Sequence, residues 1–454
     1  MLPEGFKRKM KNTLGYEYEA FISALEEHDP IRAFRSNLIK TDGTNPFDTS
    51  VRVEPIPYVE NGYLLLDDVK IGNTPEHHSG MIYVQDPGAM STATALDIPP
   101  HFRVADLCAA PGGKSSQIAE RLGEDGFLLS NEYIPKRAKI IVGNLERLGV
   151  KNAAVTSLDT AELADFYPDY FDLVVVDAPC SGEGMFRKSD EALAEWSEEN
   201  VLRCADRQRE IIKNGAAMVK PGGYLLYSTC TYSEEENEQV VSYLLNERAD
   251  LSLMDVKEEL RAATRDGIAR EGYHPDVAKC RRFYPHITPG EGQFLALFKR
   301  DDNANVQTRV YKDSLQSPTK REIAAIGVFF REVLGEVPRG RLVKIGDNIA
   351  LIQHGCPLPP RSVFMPGVLI GEIRGEVIRP SHQFFSAFGR DFLLRVDLDD
   401  CDGRLDKYLR GEEIDTDTKE GGWCAITYRG VPLGGGKISG GRIKNHYPKG
   451  LRIK

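Results

Sequence analysis

The sequence predicts an α/β fold: a parallel, doubly wound sheet at the centre, a small α/β domain before it and a small β-rich module after it. Three observations carry this expectation. Between residues 86 and 300 short apolar runs alternate with helical patterns, the order that builds a parallel sheet covered on both faces. A glycine-rich turn follows the first of these runs, where open α/β sheets bind their ligands. Beyond residue 379 the apolar runs are short and punctuated by glycine, the pattern of a compact β module.

The elements follow in chain order. Residues 1–85 open with two amphipathic helical patterns, Phe6 and Met10 in the first, then Tyr18, Phe21, Ile22 and Leu25 in the second, spaced for one helix face. Asp29-Pro30 ends the second. The runs RSNLIK at 35–40 and YLLL at 63–66 read as strands of this first domain. In 86–300 the strand candidates are RVADL at 103–107, GFLLS at 126–130, AAV at 153–155, FDLVVV at 171–176 and YLLY at 224–227. Such uninterrupted apolar runs suit strands buried on both sides. Residues 301–319 are polar and apolar-poor, a linker. A small α/β segment with a helix near 323–333 occupies 320–378, and the β-rich module fills 379–454.

Composition narrows the function. A chain of 454 residues implies two to four domains at roughly 100–150 residues each. With 41% hydrophobic and 28% charged residues it is an ordinary globular chain, and no stretch approaches the roughly 20 apolar residues of a membrane span. The first residues, MLPEGFKRKMKNTLGYEYEAF, mix charges throughout and make no signal peptide. A cytoplasmic, monomeric protein without a membrane partner is expected. The net charge of −10 excludes a protein that coats nucleic acid indiscriminately. A local basic face is still expected: KISGGRIKNHYPKGLRIK, the last eighteen residues, holds six Lys or Arg and no acid. Gly, Ile, Tyr and Leu are interleaved there with Lys437, Arg442, Lys444, Lys449 and Arg452, which suits a folded surface.

After the first strand candidate comes Cys108-Ala109-Ala110-Pro111-Gly112-Gly113-Lys114 and then a helical pattern. Glycines at a strand-to-helix turn let backbone amides approach a polar ligand closely. Gly113-Lys114-Ser115 resembles the end of a phosphate loop, but that motif needs glycine at 108, and the dinucleotide fingerprint fails as well. A nucleoside-type cofactor survives, because Glu132 ends the second strand about where an acid bonds ribose hydroxyls. Asp159 and Asp177 follow the third and fourth strands and line the same edge.

The eight cysteines, Cys108, Cys180, Cys204, Cys230, Cys280, Cys356, Cys401 and Cys424, stand singly and are expected as reduced thiols. Most such residues are small buried hydrophobes. Two stand in different company. The fourth strand runs into Asp177-Ala178-Pro179-Cys180-Ser181-Gly182-Glu183-Gly184, the fifth into Ser228-Thr229-Cys230-Thr231-Tyr232-Ser233. Ser233 and Glu236 have the spacing of a capping box, which predicts a helix start just after Cys230 and a lowered thiol pKa there.

Together, D-L-C-A-A-P-G-G-K at 106–114, D-A-P-C-S-G-x-G at 177–184 and S-T-C-T at 228–231 with E-E-N after it resemble the Sun/nucleolar-protein family of RNA cytosine-5 methyltransferases. The resemblance implies a Rossmann-like class I methyltransferase core that uses S-adenosyl-L-methionine. It implies cofactor contacts at Cys108 through Lys114, Glu132, Asp159 and Asp177, with Cys230 as nucleophile and Cys180 assisting product release. The chemistry suits two cysteines: carbon 5 of cytosine becomes nucleophilic once a thiolate adds at carbon 6, and a second group must then remove the carbon 5 proton. Asp177 is placed to bond the ring's N3 and amino edge. Spacing alone leaves open which cysteine attacks and which releases; their order comes from the resemblance.

The same resemblance makes 1–85 an N-terminal RNA-binding domain, in which Arg35 and Asn37 match an R-x-N pattern. Residues 379–454, with G-W at 422–423 and basic patterns at 441–452, look like the PUA-like RNA-binding module of members acting on ribosomal RNA. The implied substrate is cytidine in small-subunit (16S) ribosomal RNA, free or in the 30S subunit. Candidate RNA contacts are Arg35, Asn37, Arg187, Lys188, Arg281, Arg282, Lys437, Arg442, Lys444, Lys449 and Arg452. The segments 85–90 (QDPGAM) and Ser189-Asp190 depart from common family patterns beside these surfaces.

Two rival functions compete with this reading. A DNA cytosine-5 methyltransferase would use Cys180 as nucleophile, but no large DNA-recognition insert separates the motifs. A ribosome-assembly factor without catalysis would have no need of Cys180, Cys230 and Asp177 together. His77-His78, and Cys280 with His286, lack companions at metal-ligand spacing, and no metal is expected.

Overall fold

The computed structural model describes residues 2–49, 51–306, 315–353 and 355–453. The five apolar runs of the central domain form five parallel strands. Across the sheet they lie in the order Val219–Thr229, Phe171–Asp177, Arg103–Asp106, Phe127–Asn131 and Ala153–Thr156. Successive side chains along each strand enter two different cores. Ala105, Leu129 and Val174 meet Ala205, Ile212 and Val241 of two helices on one face. Val104, Leu128 and Val175 meet Ile118, Ile141 and Leu145 on the other. That double burial is why these strands contain no polar alternation.

The first strand in sequence has the second on one side and the fourth on the other. Strand order therefore reverses beside Arg103–Asp106, and a crevice opens there beyond the carboxyl ends of the strands. Gln293–Arg300 adds antiparallel to Val219–Thr229, and shorter strands extend that edge. At the opposite edge Val363–Met365, from far along the chain, pairs antiparallel with Ala153–Thr156.

The helices α1 (Glu4–Leu14) and α2 (Tyr18–Glu26) form where the periodicity places them. Their apolar face goes elsewhere than the neighbouring sheet: Phe6, Met10, Phe21 and Leu25 cluster with Phe186, Tyr232 and Tyr284 of the central domain. The N-terminal sheet, ordered Val53–Pro55, Gly62–Leu65, Ala33–Ser36, Ile82–Val84, instead shares a core with the C-terminal module, Phe34 and Ile82 lying with Leu398, Tyr408 and Ile443.

In the last third, the helix Lys320–Leu334 starts on a capping box of Thr319 and Glu322 and packs on the antiparallel sheet spanning 341–380. Phe329, Phe330 and Ile370 lie in one cluster with Phe384, Phe388 and Ala425, so a continuous core crosses residue 379. The final sheet has five strands, Arg395–Leu398 and Gly422–Tyr428 running parallel at one side. Of the expected linker, residues 307–314 lie outside the described residues, and Gln316 bridges to Lys344. No helix among the described residues is long and apolar enough to cross a membrane.

Candidate active site

The fourth and fifth parallel strands pair through Asp177 and Ser228 at their carboxyl ends, so the loops that follow leave the sheet side by side. This register brings Cys180 Sγ to 3.2 Å from Cys230 Sγ, although fifty positions separate them. Contact with Cys230, and then burial, push the Cys180 thiol well above its ordinary range. Asp177 ends the strand beside them, its Oδ1 accepting from Ser228 Oγ at 2.6 Å and its Oδ2 from Lys114 Nζ at 2.8 Å. Burial alone would depress the Lys114 ammonium, but Asp177, with Cys230 and Asp106 nearby, holds its pKa above the usual lysine value.

The expected capping box does not form. Ser233 Oγ donates to Glu183 at 2.7 Å, while Glu236 accepts from Ser181 and Gln208. The helix begins only at Glu238, and neither Ser233 nor Glu236 caps it. Sequence reasoning missed Glu183, Glu236, Ser181, Gln208 and Thr231 as parts of the site. The signal was present in two acids inside the cysteine motifs, yet nothing local says that each faces the other's loop.

The glycine loop lies across the crevice. Gly112 has φ 109° and precedes the helix Gly113–Ala119, a conformation open to glycine alone among common residues. A cavity of about 230 Å³ is walled by Tyr83, Gln85, Asp106, Cys108, Ala109, Ala110, Pro111, Gly113, Lys114 and Asp177. Asp106 was not among the sequence candidates, though an acid ending the first strand is the same signal that singled out Glu132. One of its oxygens accepts from Ser115, and the other is buried without a hydrogen-bond partner. Burial pushes its carboxyl up to about 7, so a cationic ligand group would find an unsatisfied acceptor there. Burial likewise raises the Cys108 thiol. S-adenosylmethionine offers an ammonium, a sulfonium and a ribose diol, and this acid-lined cavity fits such a group. Glu132 is buried nearby and accepts from Ile134 N at 3.0 Å. Asp159 is exposed and caps the helix Thr160–Phe166 through Ala161 N. Gly112, Glu132 and Asp159 do not wall the cavity.

Five expected RNA contacts require correction. Arg35 is 1% exposed and clamps the cofactor loop, donating to Gln85, Glu120, Gly113 O and Ser116. Asn37 is buried and donates to the Gly80 and Leu148 carbonyls. Arg187 is buried against Glu291, Arg281 against Asp266 and Thr264, and Arg282 against Glu238. Groups so enclosed cannot reach a phosphate. Lys188 is partly exposed between Asp86 and Glu291. Lys437, Arg442, Lys444 and Lys449 are exposed, whereas Arg452 is half-buried and donates to Tyr447 O. Lys437 and Lys444 face each other across two strands. Lys437 lies 5.5 Å from the Trp423 ring, and His446 packs on that ring at 4.8 Å. No cluster of three or more His, Cys, Asp or Glu suited to a metal ion occurs among the described residues.

Residues 2–87 match the model described as the N-terminal domain of 16S rRNA methyltransferase RsmF. Residues 93–299 match 16S rRNA methyltransferase RsmB/F, and 395–453 match the methyltransferase RsmF PUA domain. The chain is 30% identical over 471 residues to ribosomal RNA small subunit methyltransferase F of Vibrio vulnificus (strain YJ016), covering 99% of this chain and 97% of that protein. It is 31% identical over 473 residues to the protein of the same name in Klebsiella pneumoniae (strain 342), covering 99% and 96%. Among solved structures it resembles a methyltransferase homolog from Pyrococcus horikoshii, with TM-score 0.53, 25% identity, and 66% and 100% of the two chains covered. NSun6 from Pyrococcus horikoshii with SFG shares the fold at TM-score 0.55 and 20% identity, covering 66% and 99%.

Proposed function

The chain belongs to the RsmF family of small-subunit ribosomal RNA methyltransferases, and from that premise we propose that it methylates carbon 5 of cytidine in 16S ribosomal RNA through a covalent Cys230 adduct. The observation that carries the reading is the contact between Cys180 and Cys230, beside Asp177 and across from the glycine loop. S-adenosylmethionine bound in the acid-lined cavity supplies the electrophilic methyl group. Lys114 and Asp177 border both that cavity and the cysteines, so the base and the cofactor share one crevice.

The Cys230 thiolate forms a bond to carbon 6, and the ring's electron pair moves to carbon 5, which would take the methyl group as its bond to the sulfonium breaks and the neutral thioether leaves. Asp177 accepts from the amino group of the base, and the Lys114 ammonium beside it donates to N3 as the ring takes on charge. Once Cys230 is bonded to carbon its charge is gone. With that charge gone, loss of the Cys180 proton to solvent is no longer opposed by a thiolate 3.2 Å away. Cys180 then takes the carbon 5 proton, the C–H pair re-forms the ring double bond, and the C6–S bond breaks to return Cys230 as thiolate.

RNA would be held chiefly through the C-terminal module, where Lys437, Lys444 and Trp423 form a basic and aromatic surface. The test incubates small-subunit RNA, naked or in the subunit, with labelled S-adenosylmethionine. Cys230→Ala is expected to abolish transfer, and Cys180→Ala to accumulate an RNA adduct that survives denaturation. A stable adduct in Cys230→Ala would overturn the assignment of roles, and label on adenine would overturn the reaction.

A further inference from the structure

The two cysteine loops are held to each other by a pair of buried carboxylates arranged in opposite directions. Glu236 lies on the Cys230 loop and reaches across to the Cys180 loop. Its Oε2 accepts from Ser181 N at 2.9 Å and from Gln208 at 2.8 Å, and its Oε1 accepts from Ser181 Oγ at 2.5 Å. Gln208 also donates to Pro179 O at 3.0 Å, so the residues on both sides of Cys180 are tied down. Glu183 lies on the Cys180 loop and reaches the other way. It accepts from Thr231 Oγ1 at 2.8 Å, Tyr232 N at 2.9 Å and Ser233 Oγ at 2.7 Å. Trp196 Nε1 completes its shell at 2.9 Å. Both side chains are 0% exposed.

Burial of a carboxylate costs several kcal/mol unless hydrogen bonds replace its water. Here most of the replacing donors come from the opposite cysteine loop, from Ser181 for Glu236 and from Thr231, Tyr232 and Ser233 for Glu183. A carboxylate that served only to stabilise the fold has no need of such selective partners, since arginine or backbone amides anywhere in the core would do. The two hydroxyls meet at the centre, Ser181 Oγ 3.0 Å from Thr231 Oγ1, so the two locks join in one network beneath the sulfurs.

We propose that Glu236 and Glu183 are positioning residues with separate tasks: Glu236 aims Cys180 for release of the product, and Glu183 aims Cys230 for attack on the base. This inference rests on the proposed roles of the two cysteines. Neither carboxylate hydrogen-bonds a cysteine sulfur, and each acts through the backbone amide and hydroxyls of the loop it grips. Loss of one lock therefore slows one step and spares the other. A glutamine in place of either carboxylate keeps the shape but loses an acceptor, because its amide nitrogen can only donate.

The experiment is a single turnover on small-subunit RNA with labelled S-adenosylmethionine, following both methylated RNA and the adduct that survives denaturation. Glu236→Gln is expected to form the adduct at near wild-type rate and to release it roughly ten- to a hundredfold more slowly, the effect of removing one buried hydrogen bond to a charged group from one step. Glu183→Gln is expected to form the adduct more slowly by a similar factor and to accumulate none. Ser181→Ala and Ser233→Ala each remove one donor from one lock, and show the same division on a smaller scale should a glutamine variant fail to fold. Equal slowing of both steps, or slowing that follows a fall in melting temperature, overturns the proposal. Cys180→Ala runs alongside: if it traps the adduct and Glu236→Gln and Ser181→Ala do not, the lock alone is wrong. If Cys180→Ala traps nothing, the cysteine roles are wrong and the proposal falls with them.

Discussion

Arg282 is 2% exposed, and its guanidinium forks onto the buried Glu238 carboxylate while also donating to Tyr232 O. Burial works against the charge, but Glu238 outweighs it and the guanidinium pKa is raised. Arg282→Ala leaves that carboxylate unpaired in a dry interior, which is expected to cost about 3–5 kcal/mol in a denaturant titration. The salt dependence of RNA affinity should not change. Lys437→Ala and Lys444→Ala invert this: melting stays put, and the slope of affinity against salt falls by about 0.7–0.9 for each phosphate that is no longer neutralised. In the sequence all of these are simply basic residues. The acid that neutralises Arg282 lies 44 positions away, so burial there was invisible until the strands were placed. Gly184 is a second such position. A Cβ on it would meet Cys230 O at 2.6 Å and Gly292 N at 2.9 Å. These are backbone atoms that cannot swing aside, so Gly184→Ala is expected to move the Cys230 loop and to lower turnover more than stability, read by comparing rate with melting.

At the scale of elements, local pattern and tertiary competition can be separated. The parallel strands were legible because uninterrupted apolar runs have few alternatives, and the loops after them were legible because ligands gather at those ends. Both cysteines of the site were found by that argument. The helix after Cys230 was misplaced because Ser233 and Glu236 satisfy the spacing of a capping box, whereas Glu183 and Ser181 offer them better partners across the loops. Likewise α1 and α2 were visible from their period, but periodicity names a face and not its destination. Their face covers Tyr232, two residues past Cys230, with Phe6 and Phe21 at 6.3 and 5.0 Å from its ring. Lys9 reaches Ser233 Oγ at 3.0 Å. The N-terminal helices thus buttress the Cys230 loop. Phe6 is fully buried, so Phe6→Ala is expected to cost about 3–5 kcal/mol and to slow adduct formation beyond what unfolding explains. Measuring both in one preparation, well below the melting temperature, separates the two effects.

At the scale of the whole molecule, the N-terminal domain, the central domain and the C-terminal module meet around one buried lysine. Lys40 Nζ lies within hydrogen-bond distance of Ser79 O, Arg147 O, Ser386 Oγ and Pro432 O, more acceptors from separate parts of the chain than its N–H groups can serve at once. Burial lowers its pKa well below that of a free lysine. Histidines crowd the same junction: His78 Nδ1 lies 2.8 Å from the Tyr447 hydroxyl, and His382 packs on the Tyr447 ring at 5.5 Å. Burial, assisted by Arg147 and Lys40 respectively, pushes His77 and His382 down to about 3. In the unfolded chain both regain a pKa near 6.5. Between those values the unfolded state binds protons that the folded state refuses, so stability rises with pH through this window. Their contribution is complete above about pH 6.5 and is lost progressively as pH falls towards 3, by up to about 1.4 kcal/mol per pH unit for each histidine. Carboxylates titrate in the lower half of the window, so the test is a difference. Denaturant titrations at pH 7.5, 6 and 5, conditions chosen to span the window, should show a shallower fall for His382→Phe than for the unaltered chain. Equal slopes would mean that the junction already hydrates its histidines and that acid reaches the fold elsewhere. A shallower slope would mean that the surface joining the N-terminal and C-terminal domains is the acid-sensitive seam of the molecule.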